Sequence, residues 1–207
     1  MKIVDRIKTE INYIKNDDSL RKITKDVFLL FLATIAFHFL YWTTDMNHWI
    51  FGPWTSEIFN FFSSVAYKCS LPLCHAFIDK PFVEVQDSFF FYQTNKMGVR
   101  IYDSVMRVEA DCSAIKQLLQ FLLLMILCSG IWWRKIIYFV CGSIIILFFN
   151  VVRIFLLTWL FADNPDMFQS IHDWIARPLM YVVIFSLWGI WITYFAYKKK
   201  DSQTSKE

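Results

Sequence analysis

Residues 136–162 read IIYFVCGSIIILFFNVVRIFLLTWLFA. These 27 residues carry one formal charge, Arg153. About 20 apolar residues in helical conformation suffice to cross a hydrocarbon core roughly 30 Å thick. The run therefore reads as a membrane span, and the composition of the whole chain agrees. Of 207 residues, 57% are apolar and 19% aromatic, with a mean hydropathy of +0.40; soluble domains are roughly 45–50% apolar. The net charge of +3 is too small to argue for nucleic acid as a partner. Five cysteines are an odd number and form no even framework, which argues against a disulfide-stapled secreted domain. Five Gly and five Pro leave little room for long flexible linkers.

Working outward from this run, three further apolar stretches are read as spans: 27–43, 114–131 and 178–197. Trp and Tyr crowd their ends, as in Tyr41-Trp42, Trp132-Trp133 and Tyr194. The first stretch follows a charged leader of 26 residues and ends without a small-x-small site, so it reads as a retained anchor rather than a cleaved signal peptide. Residues 1–26 hold seven Lys and Arg, the link 132–135 reads WWRK, and the tail 198–207 begins with three Lys. Four spans bring these three basic segments to one face, which the positive-inside rule assigns to the cytoplasm. Segments 44–113 and 163–177 then lie outside. A fifth span at 57–78 would invert everything after it. That stretch contains Lys68, Pro72 and His75, and it reads instead as an amphipathic segment on the outer interface, N-capped by Thr55 or Ser56. Between 80 and 111, FVEVQ, VRIYD and VMRVE alternate in polarity around a turn at Asn95–Gly98, which predicts a small β-hairpin or meander. The expected fold is an all-α multi-pass membrane protein of four transmembrane helices with a small extracytoplasmic α/β loop region.

This topology gathers three side chains at one depth. Cys112 stands at the outer end of the second span. Arg153 lies 17 residues past Ile136, about 26 Å along a helix and so near the same surface. His172 lies in the outer segment before the last span. Only a thiolate is a strong nucleophile. Neighbouring carboxylates such as Glu109 and Asp111 disfavour it, whereas a guanidinium favours it. An intramembrane Arg is a functional hypothesis by default, and it can also hold the oxyanion of a tetrahedral intermediate. A histidine can pass a proton to a leaving amine. Each residue also has a plainer reading: Cys112 as a packing residue, Arg153 snorkelling to headgroups, His172 capping the last span. Their common depth favours the catalytic one. Asn150, one turn before Arg153, is a supporting candidate. Cys128 and Cys141 read as packing residues, and Cys69 and Cys74 offer a structural disulfide or too few ligands for a metal. His38 and His48 receive no role.

DCSAIKQLLQF, NVVRIFLL and His172 before the last span resemble the exosortase/archaeosortase family of multi-pass membrane cysteine transpeptidases. The resemblance covers about residues 105–197, and the chain looks like a short member that keeps mainly the catalytic half. On the family pattern, Cys112-Ser113-Ala114 carries the nucleophile, Asn150-Val151-Val152-Arg153 the arginine, and His172 the proton donor. The family often has Gly where this chain has Ala114. The resemblance implies that C-terminal sorting tails of exported proteins are cleaved at the outer membrane boundary through a Cys thioester and passed to a surface acceptor. It requires no metal or organic cofactor, and its partners are that tail, an unidentified acceptor and the lipid bilayer. It implies a cell-membrane location, both termini cytoplasmic and the active site extracytoplasmic. The alternative is a non-catalytic scaffold or assembly subunit of a surface-protein or polysaccharide export system. A small transporter fits less well, because its polar groups belong near the midplane.

Overall fold

The computed structural model describes residues 18–44, 46–128 and 130–196. The basic segment 1–26 lies mostly, and the tail 198–207 entirely, outside the described residues. The stretch that opened the sequence reading forms the longest helix, α5, Trp132–Asp163. Its buried residues Gly142, Ile146, Asn150, Arg153, Ile154, Leu157, Thr158 and Phe161 recur at three- and four-residue steps, so they form one stripe along the helix. The other helices are α1 (Asp18–Thr43), α2 (Met46–Phe51), α3 (Thr55–Phe77), α4 (Ile115–Leu127), α6 (Phe168–Ile171) and α7 (Arg177–Trp191). A single π-helical turn, His172–Ala176, splices α6 to α7, making one helical rod from Pro165 to Phe195. Two helices, α5 and this rod, are long and apolar enough to cross a membrane, and two shorter apolar helices, Val27–Tyr41 and Ile115–Leu127, accompany them.

The packing divides into two cores. The first joins α1, α4, the first half of α5 and α7 around Phe121, Ile146, Ile184 and Trp191. Gly142 is required here: a Cβ at this position would come within 2.5 Å of the Phe121 ring. Its absence lets α4 lie close against α5. Lys135, one of the two cations of WWRK, is buried, and its ammonium donates to the carbonyls of Cys128 and Ile126. It thus closes the C-terminal end of α4, where orphan carbonyls and the helix dipole attract a cation.

The second core joins α3 and the C-terminal half of α5 to a three-stranded antiparallel sheet. The strands are β1 (Phe82–Val85), β2 (Ser88–Thr94) and β3 (Arg100–Arg107), in meander order. VRIYD and VMRVE, separate alternating runs in the sequence reading, contribute to the single strand β3. The turn at Asn95–Gly98 closes on the Asn95 carboxamide, which accepts from Met97 N and Val99 N. Gly98 adopts φ +78 there. Gln86 and Asp87, with φ 46 and 56, form the tight loop between β1 and β2, so Gln86 turns rather than extending its strand. Phe89 and Phe91 are fully buried, each contributing about 1.5–3 kcal/mol of apolar burial. Lys80 fastens the sheet to α5 by bonding Asp103 Oδ2 at 2.7 Å and the Ala162 carbonyl at 3.1 Å.

Segment 57–78, up to Phe77, belongs to the unbroken helix α3 despite Pro72, and Ile78 caps it in extended conformation. The expected Thr55/Ser56 cap is corrected: Trp54 holds the cap position without a side-chain bond, and the Thr55 hydroxyl donates to the Gly52 carbonyl. The suggested Cys69–Cys74 disulfide is corrected as well. Both thiols are free, Cys69 exposed and Cys74 buried. Five residues advance a helix by about 7.5 Å, beyond the usual upper limit of about 6.8 Å between bridged Cα atoms. Burial pushes the Cys74 thiol up to about 11. Cys128 is a packing residue whose sulfur accepts from Trp188 Nε1 at 3.2 Å. Cys141, read as packing, is exposed on the helix surface.

Candidate active site

The seam between the two cores is a short 3-10 turn, Ala110–Ser113. Cys112 packs against the second core and Ala114 belongs to the first. Ala114 then sits at φ 62, ψ 5, in the left-handed region, and α4 starts at the next residue. This is where the resembling family often carries Gly, the residue that adopts such a conformation without strain. The reversal turns the chain from the incoming sheet into α4 and leaves the Cys112 side chain at the helix mouth.

Arg153 and Asn150 reach this turn from the buried stripe of α5. The Asn150 carboxamide donates from Nδ2 to the Cys112 carbonyl at 2.7 Å. An Arg153 guanidinium nitrogen lies 3.7 Å from Cys112 Sγ. Arg153 is 4% exposed, so it stays inside the protein rather than snorkelling outward. Its Nε and Asn150 Oδ1 are buried and have no hydrogen-bond partner among the described residues. A buried donor without an acceptor is costly, and here it stands on a side chain that reaches the thiol.

Cys112 and Arg153 open into a cavity of about 330 Å³ that is also lined by His172. The structure thus brings Cys112, Asn150 and Arg153 into direct contact and sets His172 on the same cavity wall. The His172 ring stacks on Phe168 at 5.9 Å between centroids. Its Nδ1 meets Asp173 Oδ1 at 3.1 Å. Sequence reasoning missed several other lining residues: His38 and Tyr41 from α1, Lys116 from α4, and Arg177 and Tyr181 from α7. Lys116 lies over the Tyr41 ring at 4.5 Å, a cation–π contact that ties α1 to α4. Spacing gave no signal for these residues because they come from three separate helices. Lys116, Arg153 and Arg177 outnumber the single carboxylate of the lining, Asp111. Such a cavity favours anions, including a thiolate and a developing oxyanion. A second, open hollow of about 650 Å³, lined by Asp87, Arg107 and Glu109, shares Asp111 with it. Among the described residues, no three His, Cys, Asp or Glu side chains group as a metal site.

No curated protein and no solved structure matches the chain. A family model, described as transmembrane exosortase, matches residues 14–189, reaching well upstream of the 105–197 stretch where the resemblance is visible by eye. Buried Arg153 beside Cys112, the apolar helices around them and this match over most of the length lead to one conclusion: the chain is a member of the transmembrane exosortase family.

Proposed function

We propose that this protein is a membrane cysteine transpeptidase or protease that removes C-terminal sorting signals from exported proteins. The observation that carries the reading is the Arg153 guanidinium 3.7 Å from Cys112 Sγ in a cavity lined also by His172. In the proposed reaction, the Cys112 thiolate attacks the scissile carbonyl and the charge moves to its oxygen. Arg153 stabilises that oxyanion with donors that are already buried and oriented. The C–N bond breaks as His172 protonates the departing amine, leaving a thioester on Cys112. An acceptor amine or water then gives a proton to His172, attacks the thioester and releases the thiolate. Asn150 holds the nucleophile's backbone through the 2.7 Å bond to Cys112. The positive-inside distribution of Lys and Arg supports four spans, cytoplasmic termini and an active site on the outer side. A substrate anchored in the same bilayer meets the thiol at fixed depth, which supplies proximity without tight binding.

The test is co-expression with a protein bearing a sorting tail, with tail removal read by immunoblot. Cys112→Ala and Cys112→Ser abolish processing while the protein still accumulates in membranes. Normal processing by Cys112→Ala overturns the assignment of the nucleophile.

A further inference from the structure

We infer that Asp173 is a positioning residue that fixes the ring of His172 for proton transfer; the inference rests on the catalytic reading of His172 given above. Three donors converge on this one carboxylate. Its Oδ1 accepts from His172 Nδ1 at 3.1 Å and from an Arg177 guanidinium nitrogen at 3.2 Å, and its Oδ2 accepts from Gln169 Nε2 at 2.8 Å. Gln169, Asp173 and Arg177 follow at four-residue steps, so they line one face of the helical rod. Asp173 is absent from the wall of the Cys112 cavity, whereas His172 and Arg177 belong to it. The carboxylate therefore acts on the cavity only through the side chains it holds, the His172 imidazole and the Arg177 guanidinium.

The geometry fixes the ring in two ways. Phe168 stacks on its face, and Asp173 takes the proton-bearing Nδ1. That leaves Nε2 as the nitrogen that exchanges a proton with substrate. In the cleavage half of the reaction, the Nε2 proton passes to the leaving amine while the Nδ1 proton stays with Asp173. In the transfer half, Nε2 takes the proton of the incoming nucleophile. A π turn begins at His172, and the side chains of residues 172 and 173 meet there. Such bulges recur where a helix serves a functional site.

The experiment uses the full chain with a tailed substrate and follows initial rates against substrate level. Asp173→Ala lowers the maximal rate about 10–100-fold with KM within about twofold, the penalty of a misplaced catalytic group. Asp173→Asn retains more activity than Asp173→Ala, because its carboxamide oxygen still accepts from Nδ1. In a His172→Ala background, Asp173→Ala costs nothing further. Equal fractional losses in both backgrounds, or a change confined to KM, overturn the inference. Gln169→Leu, which removes only the Oδ2 donor, gives a smaller loss of the same kind and serves if Asp173→Ala fails to accumulate; full activity in Gln169→Leu and Asp173→Asn together also overturns it. Processing that survives Cys112→Ala would instead refute the underlying reading.

Discussion

Replacing Asn150 by Leu separates the stability of the seam from its chemistry. Asn150 is fully buried, its Nδ2 holds the Cys112 carbonyl at 2.7 Å, and its Oδ1 has no partner among the described residues. Leucine has the same branching and the same number of side-chain heavy atoms, so no cavity term arises. The substitution removes one neutral hydrogen bond worth about 0.5–1.5 kcal/mol and leaves the Cys112 carbonyl unpaired at about 1–3 kcal/mol. It also removes the orphaned Oδ1, whose burial costs about the same 1–3 kcal/mol. The terms nearly cancel. The net change should stay below about 1.5 kcal/mol, or about 3–6 °C in Tm for a protein of this size. Processing has no such compensation. A nucleophile displaced by about 1 Å loses about 10²-fold in rate, so Asn150→Leu is expected to slow tail removal about 10–100-fold at nearly unchanged Tm in detergent. Asn150→Asp, which sets a buried carboxylate oxygen against the carbonyl, should lose both. Wild-type processing by Asn150→Leu would refute the idea that this bond aims Cys112, and a large drop in its Tm would refute the cancellation.

Arg153→Lys replaces a planar fork by a point charge, and loss of an oxyanion donor costs about 10²–10³-fold, or 2.7–4 kcal/mol; single-turnover cleavage of a tailed substrate measures it. Ala114→Val puts a β-branched residue at φ 62 and should destabilise by about 1–3 kcal/mol, whereas Ala114→Gly should retain processing; thermal unfolding in detergent and the immunoblot assay check the pair. The Lys80 ammonium bonded to Asp103 holds that carboxyl below its usual value. Its contribution is therefore present above the unfolded carboxylate range and is lost as pH falls through the lower folded value. Asp103→Asn should accordingly flatten the acid limb of a Tm-against-pH series while leaving neutral-pH processing intact.

The parts of this fold written as run length and local spacing were legible in the sequence. Helix α5 follows from an unbroken apolar run, and the three-residue step puts Asn150 on the face of Arg153; the buried stripe itself emerges only in the packing. The nearness of Cys112 to Arg153 follows from helical rise and span order, because both quantities are set by geometry rather than by side-chain detail. The β2 run SFFFYQT escaped because it does not alternate: Phe89 and Phe91 are buried and the intervening Phe90 is half-covered, packing edge-on against Tyr102. Lys135 was counted as a surface charge in the sidedness argument, although its ammonium caps the end of α4. The convergence of His38, Lys116 and Arg177 on the cavity is a tertiary fact that no single helix encodes. The His172–Asp173 contact lies at the start of a π turn, and an α-helical register does not anticipate that turn.

The 13 residues of α4 span about 20 Å, whereas the 32 of α5 span about 48 Å. On the proposed topology, in which α4 is a span, lipid beside this short helix would thin or tilt its chains to cover it, at fractions of a kcal/mol per ångström. The outer leaflet would then dip toward the Cys112 turn on that flank. A peptide leaving the bilayer there would become wet, and open to attack, several residues earlier than beside the long helix, so the proposed cleavage register would be set partly by the shape of the membrane the protein imposes on its surroundings.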